Sequence, residues 1–283
     1  MHDAGPIAPV AEAANAPGCM LGGRYALRVV FEVAWIGTQF ASIVPIISNG
    51  EGELSFDVLL ELSARRDGLD GRFRACAAEV PEFVATLSGE RYQANFADAV
   101  WDSATMPSFA ISLRTECSEP GCRVGGASLY TLLGAELPAA GAAWPLDVSM
   151  GAWPDHDGDG LPGIAVTMRG RESGPYAYPP LDLLSLRRVQ DLSLGLRVIV
   201  GLDGTLESCD ALHGVTREGS VETRAVACRA TSAPAECAPR ELAFLNQNLP
   251  AWTIRQGSFQ AKRLPIDADC QAARDAFARR GGP

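Results

Sequence analysis

The sharpest chemistry in the chain is confined to nine residues. In Asp155-His156-Asp157-Gly158-Asp159-Gly160-Leu161-Pro162-Gly163 carboxylates stand at alternate positions, and Gly160 stands where a tight loop has to turn. This spacing lets Asp155, Asp157 and Asp159 converge on one hard cation, with the Leu161 carbonyl supplying a further oxygen. Calcium, which takes about six to eight oxygen ligands in flexible geometry, is the cofactor such a loop suits best. His156 lies inside the loop but offers only an imidazole, a poor partner for a hard cation, and its removal is expected to leave calcium binding nearly intact.

This stretch resembles the calcium loops of EF-hand, dockerin and thrombospondin type 3 modules, and the Asp-x-Asp-Gly-Asp-Gly start of integrin-like FG-GAP repeats. The resemblance implies ligation by the side chains of Asp155, Asp157 and Asp159 and by the backbone of Leu161. It ends at Gly163. Val166 stands where an EF-hand loop has its bidentate Glu, and Gly163 where the repeat families usually have an Asp, so further ligands have to come from elsewhere or from water. Ile164-Ala165-Val166-Thr167-Met168 then alternates as a strand does, and the expectation is a calcium-pinned loop entering a β-strand.

The eight cysteines, Cys19, Cys76, Cys117, Cys122, Cys209, Cys228, Cys237 and Cys270, include no Cys-x-x-Cys pair, and only His213 stands near any of them. Disulfides fit this pattern better than a zinc set. Local reversals favour Cys117–Cys122 and Cys209–Cys228; proximity alone suggests Cys19–Cys76 and Cys237–Cys270. Disulfides persist in oxidising compartments, so an extracytoplasmic location is expected: periplasm, cell surface or medium. The Cys19-Met20-Leu21-x-Gly23-x-Tyr25 opening, the Asp-rich loop and the cysteine-punctuated second half are together similar to secreted bacterial proteins, a resemblance that implies a compartment and no activity. Residues 1–17 of the sequence as given do not read as a signal peptide, because they carry Asp3 and Glu12 and lack a basic start and an apolar stretch. For the same reason Ala16-Pro17-Gly18-Cys19 does not make a lipoprotein cleavage box. The apolar run over 25–47 contains Arg28 and Glu32 and reads as strand and loop, so no transmembrane segment is expected.

No Gly-x-Ser-x-Gly, His-Glu-x-x-His or Gly-x-x-x-x-Gly-Lys motif is present. The match to Gly-x-Gly-x-x-Gly at Gly158, Gly160 and Gly163 falls among carboxylates that would repel a pyrophosphate. His213 is the one imidazole outside the first residues and the Asp loop, and it reads as a loop histidine; no catalytic residue is assigned. Facing carboxylates of a polysaccharide hydrolase are a spatial relation that sequence does not reveal. Trp144-Pro145 and Trp153-Pro154 are candidates for an exposed aromatic platform, and Trp35 for the core. A net charge of −10, from 34 acidic and 24 basic residues, sets nucleic acid aside as a partner. The sequence leaves the oligomeric state open.

The elements that must position these residues are strands. Over 25–35 every odd position is apolar, and over 54–62 Leu54, Phe56, Val58, Leu60 and Leu62 alternate with polar residues. Leu192, Leu194, Leu196, Val198 and Val200 repeat the pattern. Shorter strands are expected at 72–77, 109–113, 128–133, 164–168, 205–209 and 221–229. Turns are expected at Asp67-Gly68, Asp70-Gly71, Pro120-Gly121 and Asp203-Gly204, and helices at 81–88, 240–246 and 270–279. The expected fold is all-β and mainly antiparallel, a barrel or large sandwich with a few short helices including a C-terminal one. A mobile arm over 1–18 would precede a single disulfide-bonded domain over 19–283. The long two-faced strands favour a noncatalytic binding protein for an apolar small molecule or lipid. A secreted hydrolase with structural calcium and a surface interaction module are the alternatives.

Overall fold

The computed structural model describes the chain except residues 1–20, 42–43, 66–67, 85–90, 119–120, 140, 146, 171–173, 176–177, 181–187, 231–233 and 279–283; the expected arm lies outside the described residues. In chain order the elements are β1 (Gly23–Ala41), β2 (Val44–Arg65), β3 (Gly68–Glu79), β4 (Phe83–Val84), β5 (Arg91–Asn95), α1 (Asp98–Asp102), β6 (Phe109–Ser118), β7 (Gly121–Leu133) and β8 (Ile164–Gly170). There follow β9 (Gly174–Pro175), β10 (Tyr178–Pro180), β11 (Arg188–Ser208), β12 (Ala211–Ala230), α2 (Pro239–Asn248), β13 (Ala251–Leu264) and α3 (Cys270–Asp275).

The long strands close on themselves. Their hydrogen-bonded order is β12-β13-β1-β2-β3-β6-β7-β11, and β11 pairs back onto β12, which makes an antiparallel barrel. Closure follows from the alternation. The inward faces, among them Leu27, Phe31, Leu69, Leu113 and Phe259, are buried almost completely, and a closed sheet is the arrangement that hides them without leaving an edge. The outer face carries the ion pairs Arg24–Glu61, Arg28–Asp57, Arg65–Asp70 and Arg255–Glu51, the reverse of the apolar-out pattern of a membrane barrel. Among the described residues no helix is long and apolar enough to cross a membrane.

The two ends of the barrel differ. At the lower end lie the end of β2 and start of β3, the end of β6 and start of β7, and the reversal from β11 to β12, whereas at the upper end long connections run from β3 to β6, from β7 to β11 and from β12 to β13. The last pairing of β7 on β11 is Leu133 with Leu196; two residues on, Ile164 of β8 takes the place opposite Leu194. Beyond β8 come β5 and β4, so the upper end is flanked by a small second flap of sheet.

Several expectations need correction. Asp203-Gly204 is no turn but lies within β11, paired with Val215 and Gly214, and the chain reverses at Cys209 and Asp210. Its glycine serves packing: a Cβ on Gly204 or on Gly214 would meet the Phe259 ring at 2.6 and 2.7 Å. Asp70-Gly71 likewise lies inside β3, opposite Ser63 and Leu62. The described part of the expected helix at 81–88 contains β4, and the stretch after it holds β5 and α1. Strand β13 was not expected. Its inward residues change from even to odd numbers across a bulge between Ile254 and Gln256, so no single period-two phase fits it.

Cys117 and Cys122 are bridged across the β6–β7 reversal. The other pairings differ from those expected: Cys228 joins Cys237, not Cys209, and Cys76 joins Cys270, 194 residues away, not Cys19. Cys209 is also disulfide-bonded, by a bridge that lies partly outside the described residues. The long bridge docks α3 on the outer wall, where Ala26, Cys76, Cys270 and Ala273 form a second small core with Leu59 and Phe277 against it. Asp269 caps α3 by accepting from the Ala272 amide at 3.0 Å, and the guanidinium of Arg28 and the ammonium of Lys262 both lie against the Phe277 ring.

Candidate functional site

Two features of the upper end carry chemistry, and they share strand β8. The first is the Asp loop. Side-chain oxygens of Asp155, Asp157 and Asp159 lie within 4.8 Å of one another, a cluster able to hold a metal ion. Asp155 folds the loop around itself, accepting from the amides of Gly158 (2.6 Å), Asp159 (3.2 Å) and Gly160 (2.9 Å). Burial pushes its carboxyl up, but these amides, together with the Asp157 carboxyl beside it, outweigh burial and hold it below the usual carboxylate range. Asp159 accepts from the Leu161 amide at 2.7 Å. Gly158 and Gly160 adopt φ +75° and +85°, left-handed positions that glycine occupies without strain.

Asp157 is the inward member. Its Oδ2 accepts from the Ala165 amide at 2.6 Å, tying the loop to the first turn of chain in β8, while its Oδ1 is buried without a hydrogen-bond partner. Burial chiefly, with Asp155 and Asp159 adding repulsion, pushes its carboxyl up to about 6. A buried orphan carboxylate oxygen facing two more carboxylates fits a cation: the charge would satisfy the oxygen and remove the repulsion.

The departures from the calcium-loop pattern have structural causes. Gly163 has φ +103°, and a Cβ there would meet Val226 Cγ2 at 2.6 Å and the Leu194 carbonyl oxygen at 3.0 Å, so the Asp of the repeat families does not fit. Val166 is buried in β8 and turned into the barrel's apolar end, so the Glu of an EF-hand does not fit either. His156 anchors the loop. Its Nδ1 accepts from the Gly134 amide at 2.9 Å, and its carbonyl accepts from the Thr105 hydroxyl at 2.9 Å. Burial lowers its pKa and keeps the ring neutral for the acceptor role.

The second feature is a half-open apolar pocket. Leu54 and Phe56 of β2 and Leu192, Leu194 and Leu196 of β11 form opposite walls. Val166 stands between β11 and the flap, Ala94 and Phe96 belong to the flap, and Leu249, Pro250 and Trp252 close the side below α2. The free space is about 740 Å³, mouth included. None of the lining residues is charged, and only Thr223 and Trp252 bring a polar side-chain atom. Val58 and Val198, the next inward residues down β2 and β11, are buried in the core beneath, so the pocket is blind at its lower end. The even-numbered faces of β2 and β11 contribute as their alternation suggests; the odd-numbered face of β1 goes instead to the packed core.

Other candidates have different roles. Trp144 and Trp153 are stacked at 5.9 Å and lie over Gly195 of the barrel wall, where a Cβ would meet both rings at 3.2 Å. Trp144 donates to Glu222 at 2.8 Å and Trp153 to the Val148 carbonyl at 2.6 Å. They are a plug on the wall, not an exposed platform. Trp35 is core. His213 pairs with Glu207 at 3.5 Å on the outer wall, where the two side chains are 53% and 67% exposed. Glu116 and Asp203 share an outer groove with Arg114, Arg123 and Arg217. There the hydrogen bond from Arg217, with the charges of Arg217 and Arg123, holds Asp203 below the usual carboxylate range, the wrong direction for a general acid. No protein-family model matches the chain, and no curated protein is significantly similar to it.

Proposed function

We propose that this chain is an extracytoplasmic, calcium-stabilised binding protein that holds an apolar small molecule or lipid in the upper end of its barrel, with no catalytic role. The observation that carries the reading is the uncharged, blind pocket among Leu54, Phe56, Val166 and Leu194. Eight strands leave an interior just wide enough either to fill with side chains or to hold one small ligand, and here the lower half is filled. Calcium, held by Asp155, Asp157 and Asp159 with the Leu161 carbonyl, would fix the start of β8 and with it the pocket wall at Val166. Disulfide bonding supports an oxidising compartment.

Native mass spectrometry of protein made in an oxidising compartment, with uptake of a fluorescent fatty-acid probe, tests the reading. A co-purified apolar ligand or saturable uptake supports it. Absence of both contradicts it.

A further inference from the structure

We infer that the pocket takes the hydrocarbon tail of an amphiphile, methyl end first, and leaves the polar head outside; this rests on the binding function proposed above. The pocket offers one way in, since Val58 and Val198, buried below Phe56 and Leu196, close it from beneath. Whatever leads must be uncharged, because no charged side chain lines it and an unpaired charge taken out of water is heavily penalised. A head group with several hydrogen-bonding atoms finds only Thr223 and Trp252 there, so unsatisfied polar atoms also argue against head-first binding.

Two ligands of equal length separate the inference from the function it rests on. Tetradecanoate has one apolar tip, whereas tetradecanedioate carries a carboxylate at each end and has none to lead with. Displacement of a fluorescent acyl probe is read for both, below their aggregation thresholds. The inference expects tetradecanoate to bind and the diacid to be weaker by on the order of a hundredfold or more. Equal affinity of mono- and diacid overturns the tail-first inference while the binding function stands. Failure of the probe and of both ligands to bind overturns both.

Discussion

Asp157 is the residue on which the loop turns. Its buried Oδ1 has no partner and its Oδ2 holds the Ala165 amide. Asparagine keeps an oxygen for that amide and removes the charge. In chelator, Asp157→Asn should melt no lower than the wild type, because repulsion with Asp155 and Asp159 is relieved. The calcium-induced rise in melting temperature, worth about 2.7 kcal/mol at a hundredfold excess over the dissociation constant, should be lost. A calcium shift of wild-type size in this variant, followed by differential scanning fluorimetry, would count against the site. His156→Ala should behave oppositely: leaving the Gly134 amide unpaired costs about 1–3 kcal/mol with or without calcium, and the shift itself should persist. The acidic spacing was legible in the sequence because ligands two residues apart announce a loop. The duty of His156 was not, since its partner lies 22 positions away and a histidine in an acidic loop carries no sign of which backbone it faces.

At the scale of elements, the loop-to-strand junction gives a counterintuitive expectation. Gly163→Asp restores the residue that repeat-type calcium loops carry, yet here φ +103° and the approach of Val226 and Leu194 leave no room for a side chain. The variant should be destabilised by about 1–3 kcal/mol from the backbone alone, and it should not gain calcium affinity; a tighter calcium isotherm with an unchanged melting temperature would refute this account. Removing the Cys76–Cys270 bridge by a double alanine substitution should cost about 2–5 kcal/mol and speed amide exchange over α3 ahead of the barrel. Strands β1, β2 and β11 were legible because each keeps one apolar phase over a long run, 25–35, 54–62 and 192–200. Strand β13 was hidden by a bulge that switches phase. The Trp144 and Trp153 plug was hidden because Gly195 and Glu222, which define it, are distant in sequence.

At the scale of the whole molecule, barrel closure follows from the long inward faces, but the pocket does not. Its lining comes from β2, β3, β5, β8, β11, β12 and the start of β13, and Ala78, Ala94 and Pro250 belong to no periodic stripe that a sequence displays. Linkage joins its two features: if calcium fixes the start of β8, an apolar ligand contacting Val166 should bind several-fold more tightly in calcium than in chelator, and the ligand should raise calcium affinity by the same factor. The most direct test of the central claim is calorimetric titration of a soluble medium-chain alcohol into the wild type and into Ala94→Trp, whose indole would fill the pocket from the flap side. The account predicts one saturable site in the wild type and affinity at least tenfold weaker in the variant, with melting temperatures within a few degrees. Equal binding by both proteins, or no binding by the folded wild type, would contradict it.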